Sequence, residues 1–417
     1  MRAQWRRLGA GGMLAAGLIA CVPARAQPAD APLGATAESV LAAGRRLSPA
    51  LRAASLDTAA ASAKAGGADA LDDPTISENY QHKDAGTSRM HTIMLSQSFP
   101  LWGKRGLRQQ AALADVDASR GRERAAQDEL DEKIKIAYAQ YCLITRDIAV
   151  NREIADLARH MRAAAAARYG QGGGDQVAVI QAASEETTAK IEAVRLEGEK
   201  NAARARLNTL IGRPADAALA DPVRPRPIPA AEPALAVLVD RARATNPTLS
   251  ANNAAIVAAR TRGTLADKAW YPDLTVGAGP VIQDSSRPLG FEATVGFNIP
   301  LPWGREAAGQ REAAAQLDAT QQRYDAARLE IEGALGEAIA RLRAARATEA
   351  LLQREAVPQA RAAFQTVLAN YSQGKGELAA AIGAERQMRE VELRVLQAQL
   401  DQQVGLAAIE RLIGGDL

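Results

Sequence analysis

Residues 290–305 read Gly-Phe-Glu-Ala-Thr-Val-Gly-Phe-Asn-Ile-Pro-Leu-Pro-Trp-Gly-Arg, and this stretch decides the fold. Every second residue from Phe291 to Ile299 is apolar, and the residues between them are small or polar. A period of two predicts a β-strand with one apolar and one polar face. A helical pattern of about sixty residues begins near Arg305. The stretch therefore predicts a strand that leads directly into one very long helix.

The same order of features occurs about two hundred residues earlier. There Ile93, Leu95 and Phe99 precede Pro100, and a second long helical pattern follows. Four further pairs of landmarks recur in the same order: Ser48-Pro49 with Asn246-Pro247, Asp73-Pro74 with Tyr271-Pro272, Tyr169-Gly170-Gln171-Gly172 with Tyr371-Ser372-Gln373-Gly374, and Leu210-Ile211-Gly212 with Leu412-Ile413-Gly414. The spacing within the pairs stays near 200 residues, so the chain contains an internal duplication.

The composition favours long thin helices over a thick globular core. Of 417 residues, 4% are aromatic and 24% are charged, and Ala is abundant. Closely packed long helices need small side chains of high helix propensity. The formal net charge is +3, and basic residues are interleaved with acidic ones, which argues against nucleic-acid binding. Two cysteines offer no disulfide framework.

The first residues are typical of an export signal. Basic residues precede an apolar run from Leu8 to Ala20, and Ala24-Arg25-Ala26 is a small-x-small cleavage site, so residues 1–26 form the expected signal peptide. A second interpretation stays open, because Leu18-Ile19-Ala20-Cys21 also resembles a lipobox. In that case residues 1–20 are removed and Cys21 is lipidated. No other segment approaches 18 uninterrupted apolar residues, so membrane contact is expected from strands alone.

The two repeats have the same predicted elements. The first, 27–221, contains a helix broken near Ser48-Pro49, strands at about 75–82 and 90–99, a long helix at 103–168, a glycine-rich tip at 169–175 and a helix at 176–212 that Asp175 caps. Residues 222–233 form a proline-rich linker. The second, 234–417, contains a helix, strands at about 273–283 and 290–299, a long helix at 304–370, a tip at 371–376 and a helix at 377–413.

Four strands of this length suit tilted transmembrane strands but are too few to close a barrel. An open strand edge in lipid leaves backbone groups unsatisfied, so several chains are expected to share one barrel. Each long helix is expected to lie beside two shorter helices that are stacked end to end. The alternative is a β-hairpin at the end of a soluble coiled coil, which would leave five apolar residues of 291–299 exposed to water.

These features resemble the outer-membrane efflux protein family, the TolC-like trimeric exit ducts. The resemblance covers essentially the whole mature chain and rests on the order and spacing of the duplicated landmarks. The junction sequences Ser96-Gln97-Ser98-Phe99-Pro100-Leu101-Trp102-Gly103-Lys104-Arg105 and Ile299-Pro300-Leu301-Pro302-Trp303-Gly304-Arg305 look most like the CzcC/CusC branch, which serves heavy-metal efflux pumps of the RND type.

The resemblance implies a mainly α fold with a small β part. As a homotrimer it would form a 12-stranded β-barrel in outer-membrane lipid, continued by a 12-helix α-barrel in the periplasm. The tips would close the duct and dock a periplasmic adaptor that is coupled to an inner-membrane RND transporter. Aspartates common at such tips are replaced here by Ala178, Gln181, Ala380 and Gly383. An acidic ring at that level is therefore not expected, although Asp175, Glu185 and Glu377 place carboxylates nearby.

Two groups of residues are the candidate site. The tip group is expected to dock the adaptor or gate the duct, with Arg168 and Asn370 bonding across subunits and the tyrosines packing between hairpins; the alternative is ordinary turn residues. It comprises Arg168, Tyr169, Gly172, Asp175, Asn370, Tyr371, Gly374 and Glu377. The junction group is expected at the membrane interface, with its tryptophans in an aromatic girdle and its basic residues on lipid phosphates. It comprises Trp102, Lys104, Arg105, Trp303 and Arg305.

No pattern in the sequence predicts catalysis, a cofactor or a metal site. His82, His91 and His160 lack the spacing of metal ligands, and Met90 and Met94 would share a strand face that excludes His91. The predicted function is a passive outer-membrane exit duct for heavy-metal cations or other small toxic solutes. Polypeptide secretion, multidrug efflux and a periplasmic coiled-coil spacer remain alternatives.

Overall fold

The computed structural model describes residues 33–83, 88–222, 224–230, 234–283 and 290–417. Cys21 and the expected export signal lie outside these ranges, so the choice between a cleaved signal and a lipid anchor stays a prediction.

The elements form two similar sets along the chain. The first set is α1 (Ala37–Leu47), α2 (Pro49–Gly66), β1 (Thr75–Lys83), β2 (Ser88–Phe99), α3 (Lys104–Gly170) and α4 (Gln176–Ile211). The second set is α5 (Leu235–Thr245), α6 (Pro247–Asp267), β3 (Leu274–Gln283), β4 (Gly290–Phe297), α7 (Arg305–Leu351), α8 (Val357–Ser372) and α9 (Leu378–Ile413). Within the described ranges, no helix is both long and apolar enough to cross a bilayer.

Short helices meet end to end beside each long one, as the helix lengths predict. α4 ends at Gly212, whose φ of +85° lets its backbone approach Leu47 and Pro49 at the break between α1 and α2. α9 ends in the same way at Gly414, beside Thr245 and Pro247. Only glycine takes this left-handed conformation without a steric penalty. In each repeat, one such glycine therefore lets the returning helix end at this break. Two short helices that meet end to end can then equal the length of one long helix.

The strands form one antiparallel sheet in the order β1-β2-β3-β4. Strand alternation and the pairing register place most of the large apolar side chains on one face. That face carries Ile76, Tyr80, Ile93, Leu95, Phe99, Leu274, Val276, Ile282, Phe291, Val295 and Phe297. The opposite face is mainly Ser, Thr, Asn, Gln and Gly, with Met90, Met94 and Glu292. The alternation seen in the sequence of β4 therefore extends to the other strands, although Glu78, His91 and Gln97 also lie on the mainly apolar face.

Nothing in the described part of the chain covers the apolar face. Phe291 is 75% exposed and Val295 is 65% exposed. In the described part of the sheet, β1 and β4 each have a neighbour on one side only. An apolar sheet face and two unpaired edges indicate that something outside this chain completes the sheet.

The core runs along the helices. In α3, apolar residues spaced alternately four and three positions apart are buried at Leu130, Ile134, Ala137, Tyr141 and Ile148, while Ile144 is half-buried. Leu335, Ile339 and Leu342 of α7 pack with the ends of α5 and α9 in the second repeat. Each repeat thus buries its own cluster at the level where its short helices meet.

The second long helix is helical throughout from Arg305 to Ser372, close to the predicted 304–370, but its hydrogen-bond geometry changes at one turn. A π-helical turn, Leu352–Ala356, separates α7 from α8. Pro358 follows immediately; it has no backbone N–H, and its ring clashes with the carbonyl four residues earlier in a regular helix. The wider turn accommodates the proline, as π-bulges do elsewhere. The α3 helix contains no proline and runs unbroken for 67 residues.

Candidate functional site at the hairpin tips and junctions

The two tips have the same backbone turn. Gly172 and Gly374 have φ values of +76° and +81°, and each donates its N–H to the carbonyl of the tyrosine three residues earlier. The next residues, Gly173 and Lys375, donate to Arg168 O and Asn370 O at 3.1 and 2.9 Å. These are the paired bonds of a helix C-cap with a left-handed residue. The tip glycines are therefore required for the turn itself.

Helix capping differs between the tips. Asp175 caps α4, as predicted, by accepting a hydrogen bond from Val177 N at 3.1 Å. Glu377 occupies the same place before α9 but makes no side-chain capping bond. Its longer side chain is a poorer N-cap than Asp. The Glu377 carboxylate is thus exposed to solvent at the tip.

Arg168 joins the two tips within one chain. Its Nη1 donates to Tyr371 O at 2.9 Å, and its Nη2 donates to Gly173 O at 3.4 Å. The guanidinium also lies over the Tyr371 ring, 4.9 Å from the centroid. A hydrogen bond and a cation–π contact therefore act on the same pair of residues. These partners lie in the same chain. The expectation that Arg168 also bonds across subunits stays a prediction.

The corresponding residues of the other tip have different surroundings. Tyr371 is 4% exposed and packs with Met161, Leu378 and Ile382. Tyr169 is 50% exposed. Asn370, the counterpart of Arg168, is also exposed. One tyrosine therefore packs between hairpins as predicted, and the other has no such cover within the chain.

A groove of about 560 Å³ lies between the tips. Arg168, Asp175, Tyr371 and Glu377 line it, together with the glycines of the first turn. One cation and two carboxylates thus stand over an apolar floor that includes Ala165 and Leu378. The arrangement suits a peptide surface with both apolar and charged groups.

Ion pairs tie the two hairpins above the tips. Glu185 pairs with Arg386, and Glu192 pairs with Arg389 at 3.1 Å. The pKa of the Glu192 carboxyl is lowered, first by its hydrogen bond to Arg195. Glu385 is buried and its Oε1 has no hydrogen-bond partner in the described structure, and burial raises the pKa of this carboxyl. Glu185, expected to place a carboxylate near the tip, is therefore paired with Arg386.

At the first junction Lys104 is buried rather than directed to lipid. Its Nζ donates to Asp273 Oδ1 at 2.8 Å and to Tyr271 O at 2.8 Å, and the side chain is 7% exposed. Asp273 Oδ1 also accepts the Leu101 N–H at 3.0 Å. The predicted contact of Lys104 with lipid phosphate is wrong, because the ammonium is buried and binds the carboxylate of Asp273 in the second repeat.

Arg105 and Trp102 are held by backbone carbonyls. Arg105 Nε donates to Asp69 O at 2.6 Å, a partner within the chain that the lipid prediction did not include. Trp102 has a φ of +60°, uncommon for a residue with a side chain, and its Nε1 donates to Pro272 O at 2.7 Å. Its ring also contacts Tyr271, with centroids 5.3 Å apart. The first junction is thus bound to the start of β3 by Lys104 and Trp102, and Arg105 binds it to the segment before β1.

The second junction lacks such partners. Trp303 is 85% exposed, and Arg305 is exposed with no hydrogen bond or ion pair within the described ranges. Gly304 has the same left-handed conformation as Gly103, but Trp303 lacks the positive φ of Trp102, and Pro302 has no counterpart in the first junction. The two junctions therefore share the Trp-Gly-basic pattern and differ in local backbone and in what lies beside them.

Sequence reasoning missed Asp273. The signal was present, because Asp73-Pro74-Thr75-Ile76 and Asp273-Leu274-Thr275-Val276 share a pattern that places an aspartate before each odd-numbered strand. It also missed a buried charge cluster, in which Lys135 Nζ bonds to Glu410 Oε2 at 2.8 Å and to Asp416 Oδ1 at 2.7 Å. The Lys135 bond lowers the pKa of Asp416.

No group of three or more His, Cys, Asp or Glu side chains in the described ranges is arranged to hold a metal ion. His91 Nδ1 lies 3.0 Å from Glu78 Oε1, and its ring contacts Tyr80. Met90 and Met94 share the opposite face of the sheet, as predicted. The side chain of His82 lies outside the described residues.

A family model described as "Outer membrane efflux protein" matches the chain over residues 43–213 and 238–415, one segment in each repeat. The nickel and cobalt resistance protein CnrC of Cupriavidus metallidurans is 28% identical over 308 residues, which cover 71% of each chain.

Solved structures show the same fold. CusC has a TM-score of 0.78 at 17% identity, with 91% of this chain and 92% of that chain covered. The outer membrane protein VceC of Vibrio cholerae has a TM-score of 0.77 at 18% identity, with 91% and 96% covered.

Proposed function

This chain belongs to the outer membrane efflux protein family, and on that premise we propose that it is the passive exit duct of a tripartite efflux pump. It is not an enzyme, since the family is one of efflux proteins. The duct is a homotrimer whose sheets form a 12-stranded barrel in the outer membrane. The helices continue the barrel as a tube in the periplasm.

The observation that carries the proposal is the uncovered sheet. Its apolar face suits contact with lipid, and its opposite face of small and polar side chains suits a water-filled lumen. Edges at β1 and β4 leave backbone donors and acceptors that other copies of the same sheet satisfy. A lone hairpin on a soluble coiled coil would leave the same apolar face in water.

The tips are the docking and gating surface. The residues that act there are Arg168, Tyr169, Gly172, Asp175, Asn370, Tyr371, Gly374 and Glu377. The groove between the tips receives the helical hairpin of a periplasmic adaptor, and the adaptor connects the duct to an inner-membrane RND transporter. Arg168 holds the tips together in the closed state, supported by its two hydrogen bonds and its contact with Tyr371.

The cargo class is a heavy-metal cation. The support is the relationship to CnrC, named for nickel and cobalt resistance, over 71% of the chain. The duct passes the ion as substrate and holds no resident metal. Cation choice is made by the transporter, since a wide polar lumen discriminates weakly among small solutes.

The decisive experiment is purification of the mature protein followed by reconstitution in planar bilayers. The proposal expects a detergent-dependent particle with the mass of three chains and discrete single-channel conductance. A protein that stays soluble and monomeric without detergent, and gives no conductance, would support the periplasmic spacer instead.

The cargo is tested separately in cells that lack the gene. Sensitivity to nickel and cobalt should rise and be restored by the wild-type gene, while sensitivity to organic antibiotics stays unchanged. The reverse pattern would indicate multidrug efflux, and a secretion defect without either would indicate polypeptide export.

A further inference from the structure

The contact between β2 and β3 joins the two repeats within one chain. It pairs Gln97 with Val276 and Phe99 with Leu274. At its helical end, Lys104 bonds to Asp273, and Trp102 lies against Tyr271 and Pro272. β1 and β3 are the first strands of their repeats, and β2 and β4 are the second strands. The β2–β3 contact therefore shows how the end of a second strand can meet the start of a first strand elsewhere.

The sheet register aligns the repeats residue by residue. Ile76 pairs with Leu95 in the first repeat, and Val276 pairs with Val295 in the second. Leu95 and Val295 each lie five residues before the junction proline, so Ile76 corresponds to Val276. By the same alignment Asp73 corresponds to Asp273, and Leu71 corresponds to Tyr271. The tryptophans and the first basic residue of each long helix correspond as well.

We propose that β4 of one chain pairs antiparallel with β1 of a second copy in the register of the β2–β3 contact. Phe297 then lies opposite Ile76 of the second copy. Arg305 forms an ion pair with Asp73 of the second copy, and Trp303 covers Leu71 of the second copy. The inference rests on the proposed trimeric duct and assigns the residues at which its subunits close.

The residues on both sides of the proposed contact are uncovered. Phe297 is 59% exposed and Ile76 is 76% exposed. Trp303 is 85% exposed, and Leu71 on the other edge is also exposed. An aromatic and an aliphatic side chain directly opposite each other are a favourable cross-strand pair.

The charges are complementary as well. Asp73 is exposed, and like Arg305 it has no ion pair or hydrogen bond from its side chain within the described ranges. Lys104, the counterpart of Arg305, shows where a cation at this position goes when a neighbouring strand is present: to the aspartate before that strand. An Arg–carboxylate pair also adds directional hydrogen bonds. Lipid phosphate is therefore the competing partner that the test must separate.

Engineered disulfides test the register. Directly opposite residues in antiparallel strands are close enough for a disulfide. The double variant Ile76→Cys/Phe297→Cys, oxidised in native membranes, should give a covalent trimer on non-reducing gels that dithiothreitol converts to monomer. Ile76→Cys/Val295→Cys, shifted by two residues, is the matched control and should cross-link at least ten-fold less.

Two further controls separate the causes of failure. Gln97→Cys/Val276→Cys places the same bridge inside one chain and should oxidise without forming oligomers. Each single variant, with the buried Cys142 retained, reports any bridge to a native cysteine. A wild-type particle with the mass of one chain would refute the duct itself. A wild-type trimer in which only the shifted pair cross-links would refute this register and leave the duct intact.

A charge exchange tests the ion pair against lipid. Arg305→Glu should lower the temperature at which detergent-solubilised trimers dissociate, and adding Asp73→Arg should restore most of the loss. Arg311→Glu, at an exposed arginine further along α7, is the charge-matched control and should have little effect. A loss that Asp73→Arg does not restore, but that disappears when anionic lipid is removed, would assign Arg305 to lipid and overturn the pair.

Discussion

The junction of the first repeat is closed by the second repeat, whereas the junction of the second repeat is open. Lys104 and Trp102 find Asp273 and Pro272 within the chain, while Arg305 and Trp303 remain exposed. At the tips, too, the first repeat contacts the second: Arg168 of the first repeat covers Tyr371 of the second, whereas Tyr169 stays exposed. Each repeat thus uses the next one as its neighbour, and the second repeat's neighbour is missing from a single chain.

A closed ring of copies explains this difference, since every open surface then meets an equivalent of the closed one. A trimer supplies six repeats around one axis, so each junction and each tip gains a neighbour. The difference between corresponding sites of the two repeats can be tested by substitutions that act at one site of a pair and not at the other.

The largest effect is expected at the closed junction. Lys104→Met leaves the Asp273 carboxylate half-buried without its cation, and breaking a buried pair in this way costs about 3 kcal/mol. The variant should lose helical circular dichroism at a lower temperature in detergent. Arg305→Met, the matched variant, should lower the temperature of trimer dissociation and leave helix melting unchanged. Equal effects on helix melting would contradict the distinction between closed and open junctions.

The next effect concerns a feature in which the repeats are alike. Gly212→Ala and Gly414→Ala put a Cβ at positive φ and within 2.8 and 2.6 Å of the Leu47 and Thr245 carbonyl oxygens. Each should cost about 2 kcal/mol in the free energy of unfolding.

The controls for the glycine variants lie inside the same helices, away from the glycine-capped ends. Gly198→Ala and Gly383→Ala meet no atom within 4 Å in the chain and should be neutral or stabilise by about 0.5–1 kcal/mol. Urea titrations followed by circular dichroism measure all four. A marked difference between the two terminal glycines would show that the repeats are not equivalent at this level.

A smaller effect is expected at the tips. Arg168→Ala removes a hydrogen bond and a cation–π contact worth about 1–2 kcal/mol together. If the tips gate the duct, uptake of a large antibiotic or dye should rise several-fold in cells with unchanged trimer levels. Asn370→Ala should change uptake less, because Asn offers no cation to a neighbouring tyrosine. Arg159→Ala, at an exposed arginine of the same helix, is the control. Uptake equal to wild type in Arg168→Ala cells would argue against the gate.

The smallest expected effect is a gain in stability rather than a loss. The pKa of Glu385 is raised by burial, so the native state binds more protons than the unfolded state between the usual and the raised value. Stability from this group is present at low pH and is lost as pH rises through the raised value. Glu385→Gln cannot ionise and should be more stable than wild type at pH 8, by about 1 kcal/mol or less, with the advantage shrinking as pH falls. Melting temperatures between pH 5 and 8 test this, with the exposed Glu377→Gln as the charge control.

Local sequence predicted the strands, the long hairpins and the tip turns well, because these depend on periodicity and on a few glycines and prolines. The long helix expected over 304–370 is present, but its π-helical turn was not predicted, although the signal is local: Pro358 lies inside the helical pattern. At the candidate site, Asp175 could be predicted as a cap because its partner is two residues away. Asp273 could not be paired with Lys104, since the two are far apart in the sequence.

By itself, therefore, the sequence determined the duplication, the alternation of the strands and the turns that separate the helices. Only the tertiary structure decided which groups meet: that Lys104 bonds to the Asp273 carboxylate, and that Arg168 lies over Tyr371 of the other tip. The physical reason is that burial and ion pairing depend on which strands and hairpins lie side by side. The sheet order places the first repeat against the second, and it leaves Gly290–Arg305, the stretch with the plainest pattern, at an open edge of the sheet.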